Sequence, residues 1–120
     1  MVDLQIASRG VSDARVLAAM RKVPREAFVA PGCEQLAYED GPLPIGNGQT
    51  ISQPFVVALM AEAARIAAGD RVLEVGTGSG YAAAVLGELA AAVVTVERHA
   101  DLAERARERL RGTGYANVAV

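Results

Sequence analysis

The stretch "LEVGTGSGY", residues 73 to 81, constrains the fold more than any other part of the chain. A short β-prone run, "RVLEV" (71 to 75), leads into Gly76, Gly78 and Gly80, and the helix-forming segment "SGYAAAVLGELA" follows. A second run, "VVTVE" (93 to 97), reads as a strand. Behind it, "ADLAERARERLRGTG" reads as a helix with Leu102, Ala106 and Leu110 on one stripe, closed by Gly112 or Gly114. Asp101 and Arg105 have the i, i+4 spacing of a helical ion pair. "NVAV" then looks like the opening of a third strand. Strand, helix, strand, helix, strand in this order predicts an α/β fold with a parallel sheet and right-handed crossovers.

Upstream, Ser12 and Asp13 are helix-opening residues, and Val16, Leu17, Met20 and Val23 recur at helical spacing until Pro24 stops the pattern. Residues 30 to 50 carry three prolines and four glycines, which predicts mainly loop with one turn of helix at most. A loop that long inside a compact domain is usually functional. Ser52 and Gln53 precede Pro54, so the local role of Ser52 is a helix N-cap. Val56, Leu59, Met60, Ala63 and Ala67 give the next helix one apolar face, which Gly69 and Asp70 end.

The 120 residues read as one domain: 1–53 hold N-terminal helices and a substrate and cofactor loop, and 54–120 begin the sheet. Two and a half parallel strands leave an unpaired edge and apolar faces that such sheets normally cover. The expectation is therefore an N-terminal portion of a larger fold with an incomplete parallel sheet, or self-association through the open edge.

A net charge of −2 with both signs interleaved gives no general attraction to nucleic acid or to anionic membranes. Cys33 is the only cysteine and His99 the only histidine, which excludes an internal disulfide and a Cys/His metal cluster and fits a cytoplasmic protein. The N-terminal segment has Asp3 and Arg9 where a signal peptide would be apolar. The longest apolar stretch, "YAAAVLGELAAAVVTV", is interrupted by Glu88 and falls short of the ~20 residues of a spanning helix.

A glycine-rich turn between strand and helix can bring backbone N–H groups and a helix N-terminus against a ligand. The dinucleotide fingerprint is G-x-G-x-x-G, whereas this loop reads G-x-G-x-G with Tyr81 in place of the third glycine. A P-loop fits worse, since Tyr81 and Ala82 stand where lysine and a hydroxyl residue belong. Glu74 would repel phosphate and attract a cation. Glu97, about 20 residues after the loop, is placed to accept hydrogen bonds from ribose hydroxyls. Loop and acid together favour a nucleoside with a cationic tail, such as S-adenosylmethionine. A bare turn with a solvated acid is the bland alternative, and NAD the alternative ligand.

"VPREAFV" (23 to 29), "LAYEDGPLPIGNGQTISQPFVVALM" (36 to 60), "DRVLEVGTGSGY" (70 to 81) and "VERHADLAERARERL" (96 to 110) resemble the N-terminal half of protein-L-isoaspartate O-methyltransferases, collinearly over nearly all of the chain. The E-x-G-x-G-x-G loop is common to many methyltransferases; "GQTISQP" with "LPIG" ahead of it is specific to this family. The resemblance implies a Rossmann-like methyltransferase fold and transfer of methyl from S-adenosylmethionine to the α-carboxyl of L-isoaspartyl residues in damaged proteins. By position it implies that Ser52 is the active-site residue and that Gln49, Thr50 and Ile51 close over cofactor and substrate. It assigns Glu74, Gly76, Thr77, Gly78 and Gly80 to the cofactor loop and Glu97 to the ribose. The family often has histidine where Asn47 stands, and its chains continue beyond the position of Val120 with an adenine-contacting turn and further strands. The 120 residues alone are therefore expected to be impaired in catalysis, with a noncatalytic binding or interaction module, or a small-molecule methyltransferase, as alternatives.

Overall fold

A computed structural model describes all 120 residues. Four α-helices and five short strands succeed one another: α1 (Ala14–Lys22), β1 (Leu43–Gly46), β2 (Gln49–Ile51), α2 (Pro54–Ala64), β3 (Arg71–Val75), α3 (Tyr81–Leu89), β4 (Ala92–Val96), α4 (Ala100–Gly112) and β5 (Val118–Ala119). The predicted parallel sheet is present in the order β3-β4-β5, with Arg71 beside Ala92, Val75 beside Val96, and Val93 beside Val118. No helix is long and apolar enough to cross a membrane.

Helix α1 begins as its sequence implies, with the Asp13 carboxylate accepting from the Arg15 and Val16 amides. Its Val16, Ala19 and Met20 are buried, as are Ala84 and Val85 of α3 and Ala58 and Ala61 of α2. Alanines at these contacts let the helices approach closely, and the larger aliphatic residues contribute most of the burial, roughly 1.5–3 kcal/mol each. Leu102, Ala106 and Leu110 of α4 are buried on the stripe read from the sequence, and Asp101 pairs with Arg105 at 2.9 Å.

Two local readings are corrected, and the N-terminal segment holds turns that the sequence does not announce. Residues Val2–Ile6 form one wide helical turn that a 3₁₀ turn, Ala7–Arg9, continues, and neither has a sequence periodicity long enough to register. Helix α2 stops at Ala64, short of Ala67, because Arg65 adopts a left-handed conformation with φ 52° and returns its amide to the Glu62 carbonyl. The segment read as loop contains an antiparallel hairpin, β1 with β2, in which Leu43 faces Ile51 and Gly46 faces Gln49. Its two-residue turn is Asn47-Gly48, with φ 54° and 69°, the positive values a two-residue hairpin of this kind requires. Pro44 and the brevity of the strands hid a signal that the Asn-Gly pair did carry.

The sheet is covered on one face only. Val93 and Thr95 point into the helices and are buried, whereas Leu73, Val75, Val94 and Val96 lie on the other face, with Val75 81% exposed. Strand β3 pairs with β4 alone, so its outer edge is open.

Candidate functional site

The glycine loop leaves β3 at Gly76 and enters α3 at Tyr81, and its backbone is held on every side. The amides of Gly76 and Thr77 both donate to the Val96 carbonyl, at 2.8 and 3.1 Å, and the Gly80 amide donates to the Thr77 carbonyl. The Gly78 amide donates to Glu97 Oε1 at 2.9 Å, and the Tyr81 amide to Ser79 Oγ. The expectation of free amides turned toward a ligand is therefore corrected at Gly76, Thr77, Gly78 and Gly80. A loop whose amides are already committed is a poor cradle for phosphate, which weighs against a dinucleotide.

What the loop offers instead is space and acceptors. A Cβ added at Gly76, whose φ is 94°, would meet nothing within 4 Å, so a ligand can reach the backbone there. Gly80 faces α4 instead: a Cβ there would lie 3.4 Å from Ala106 and 3.5 Å from Leu110, ordinary van der Waals contact, so its φ of 93° rather than lack of room calls for glycine. Glu97 accepts the Gly78 amide on one oxygen and the His99 amide, at 3.0 Å, on the other. Partial burial disfavours its charge, but the two amides and the neighbouring His99 outweigh that and hold its carboxyl below the ordinary range. Each oxygen keeps a lone pair for a further donor.

Glu74 lies on the buried side of β3 beside its register partner Thr95. Burial pushes its carboxyl up, and the hydrogen bond from Thr95 Oγ1, at 2.6 Å, offsets this only in part. Thr95 is fully buried and its hydroxyl also meets Thr77 Oγ1 at 2.6 Å. A threonine on the inward side of an otherwise apolar strand is the one signal of this contact that "VVTVE" carries.

The β1–β2 hairpin lies across the loop. A Cβ at Gly78 would come within 3.3 Å of Ile45 Cδ1, and the hairpin tip is tied to α4 by Asn47 Nδ2, which donates to both carboxylate oxygens of Asp101 at 2.9 and 2.8 Å. Thr50, Ile51 and Ser52 consequently share one hollow with Gly76, Thr77 and Gly78. Gln49 lines a second hollow with Gly76 and Glu97, and Glu74 lies with Ser52 and Gly76 in a groove of about 690 Å³ that runs along α2, β3 and α3. All the residues singled out from sequence thus gather around the loop, except that Gly80 faces α4.

Ser52 is not the N-cap of α2. Gln53 holds that position without a side-chain bond, and the exposed Ser52 hydroxyl makes no hydrogen bond within the chain. The Ser52 carbonyl is fixed from behind by Arg25 Nη2 at 3.0 Å. Arg25 is fully buried, its guanidinium lies 4.6 Å from the centre of the Tyr81 ring, and no carboxylate pairs with it. Nothing in "VPREAFV" distinguishes such an arginine from a solvated one. No group of three His, Cys, Asp or Glu side chains could hold a metal ion.

Comparison with known proteins agrees with this geometry. The sequence model of the protein-L-isoaspartate(D-aspartate) O-methyltransferase family matches residues 1–120. Two curated relatives named protein-L-isoaspartate O-methyltransferase, from Methanoculleus marisnigri and Rhodopseudomonas palustris, are each 61% identical over 120 residues, which is all of this chain and 54% and 55% of theirs. The chain thus spans about half the length of the curated relatives it matches. Among solved structures, a protein-L-isoaspartate O-methyltransferase superposes with TM-score 0.83 at 34% identity, covering 94% of this chain and 38% of that one. A Plasmodium falciparum chain in complex with S-adenosyl-L-homocysteine superposes with TM-score 0.78 at 26% identity, covering 94% and 57%. The Rossmann-like methyltransferase fold is thereby established, in the part this chain contains, and the chain belongs to the protein-L-isoaspartate(D-aspartate) O-methyltransferase family.

Proposed function

We propose that residues 1–120 form the cofactor-binding and serine-bearing part of a protein repair methyltransferase, which transfers methyl from S-adenosylmethionine to the α-carboxyl of L-isoaspartyl residues in damaged proteins. The observation that carries this reading is the meeting of Ser52 with Gly76, Thr77 and Gly78 in one hollow, which puts a free hydroxyl beside the cofactor loop. The residues fit the cofactor: open space at Gly76, two carboxylates rather than amides for its ammonium and ribose groups, and no phosphate cradle. When bound, S-adenosylmethionine supplies an electrophilic methyl carbon.

The chain's own task is positioning. A peptide carboxyl with a pKa of about 4 is ionised at neutral pH, so no general base is required. The Ser52 hydroxyl donates one hydrogen bond to that carboxylate and orients it, while Arg25 keeps the Ser52 backbone in place. Gln49, Thr50 and Ile51 cover the site and exclude water, Gly76 to Gly80 give the loop its shape, and Glu97 takes the ribose hydroxyls. Such orientation can be worth roughly 7–11 kcal/mol in favourable cases. Incubation with labelled S-adenosylmethionine and an isoaspartyl peptide beside its aspartyl twin tests the reading: methylation of the first alone supports it, and equal methylation of the two contradicts it.

The reading places the protein in the cytoplasm, in keeping with its lone thiol, Cys33. A second reading, of a binding module that associates without catalysis, draws on the exposed Leu73, Val75, Val94 and Val96 and the open edge of β3. Size-exclusion chromatography that shows a dimer without methyl transfer would favour it over the first.

A further inference from the structure

Thr95 carries a fully buried hydroxyl, and it sits between two groups of the candidate site that are otherwise unconnected. Thr95 Oγ1 donates to Glu74 Oε1 at 2.6 Å and lies 2.6 Å from Thr77 Oγ1. A carboxylate can only accept, and a hydroxyl has a single proton. With the Thr95 proton directed at Glu74, the Thr77 hydroxyl must be the donor to Thr95. The chain of bonds therefore runs one way, from the glycine loop through the centre of β4 to the acid of β3.

This fixes what the site presents. Thr77 lines the hollow it shares with Ser52, and with its proton turned inward it offers that hollow lone pairs only. Glu74 lines the adjoining groove, where Asp70 and Arg71 at the far end of β3 are the only other charged side chains. Both hollows meet at Ser52 and Gly76.

Resting on the cofactor reading above, we propose that Thr95 is a specificity-determining positioning residue: by drawing the Thr77 proton inward and donating its own to the Glu74 carboxylate it leaves the site acceptors only, so that the site selects a nucleoside ligand whose tail carries an ammonium group over the same ligand without it. Loss of the Thr95 hydroxyl would free the Thr77 proton to point at the ligand as a competing donor. It would also leave Glu74 without its one side-chain hydrogen bond, in a position where burial already disfavours the charge.

The test is calorimetric titration of the chain with S-adenosylhomocysteine and with its analogue lacking the α-amino group. The wild type should prefer the amino-bearing ligand by roughly tenfold or more, the worth of a hydrogen bond to a charged group. Thr95→Val should bring the two affinities to within about threefold, and Thr95→Ser should keep the preference. A residue of merely structural importance would weaken both ligands alike, so an unchanged ratio in Thr95→Val overturns the proposal while leaving the cofactor reading intact. Thr77→Val breaks the same chain from its other end and carries the same expectation if Thr95→Val does not fold. Binding of neither ligand by the folded wild type overturns the cofactor reading and this inference together.

Discussion

The Gly78 amide and Glu97 Oε1 are 2.9 Å apart, so the glycine loop and the acid that follows β4 form one unit although they are separated by a whole helix. The second oxygen of Glu97 holds the His99 amide, which opens α4. Replacing this carboxylate removes the acceptor of both the Gly78 and the His99 amides, and in the proposed site a ribose contact with them.

Glu97→Ala should weaken binding of S-adenosylhomocysteine by roughly tenfold or more, from the loss of charge-assisted acceptors. Glu97→Gln reports on acid stability. A carboxyl held below its ordinary value of 4.5 stabilises the fold fully above that pH, and the contribution disappears as pH falls through the lowered folded value. The stability advantage of wild type over Glu97→Gln should therefore be constant at neutral pH and shrink below pH 4.5, as thermal midpoints across a pH series will show.

Glu74 has the opposite sign. Its carboxyl is pushed up by burial, so its ionisation opposes folding as pH rises through and above the ordinary value of 4.5. Glu74→Gln should leave the thermal midpoint at pH 7 equal to or higher than that of wild type and at the same time reduce affinity for S-adenosylhomocysteine. A lower midpoint with unchanged affinity would contradict the role given to this residue.

Gly76 and Gly80 have nearly the same φ, 94° and 93°, and should respond differently to alanine. Backbone strain is common to both, about 1–2 kcal/mol. In Gly80→Ala the methyl makes only ordinary van der Waals contact with Ala106 and Leu110, so the variant should lose stability by this strain alone in urea unfolding and keep its ligand binding. Gly76→Ala projects its methyl into open space where a ligand approaches, and should lose more binding than stability.

At the hairpin tip, Asn47→Ala removes two bonds to Asp101 and the tolerance for a φ of 54°. Amide exchange over Gln49–Ile51 should accelerate about tenfold or more. Asn47→Gly keeps the turn and loses only the bonds, so its exchange should fall between the two.

The parts of this structure legible in the sequence are those governed by short-range chemistry. Asp13 capped α1, Leu102, Ala106 and Leu110 marked a buried stripe, and the glycine loop announced the strand before it and the helix after it. The hairpin was lost because Pro44 and Gly46 argue against strand locally, while its pairing is stabilised by contacts of Ile45 with a loop more than thirty residues away. Ser52 looked like a cap because serine before proline usually is one; here the helix begins one residue later. Arg25 and Thr95 were invisible as site residues, since their importance lies in what they touch across the fold, the Ser52 carbonyl and the Glu74 carboxylate. Without the family resemblance, spacing alone leaves the glycine loop and Glu97 as a turn and an acid.

The central claim is that these 120 residues build a site for S-adenosylmethionine around Gly76, Glu74 and Glu97. Calorimetric titration of the chain with S-adenosylhomocysteine, with NAD in parallel, tests it most directly. The account predicts saturable, one-to-one binding of S-adenosylhomocysteine and none of NAD. Binding of NAD, or a folded chain that binds neither, would contradict it.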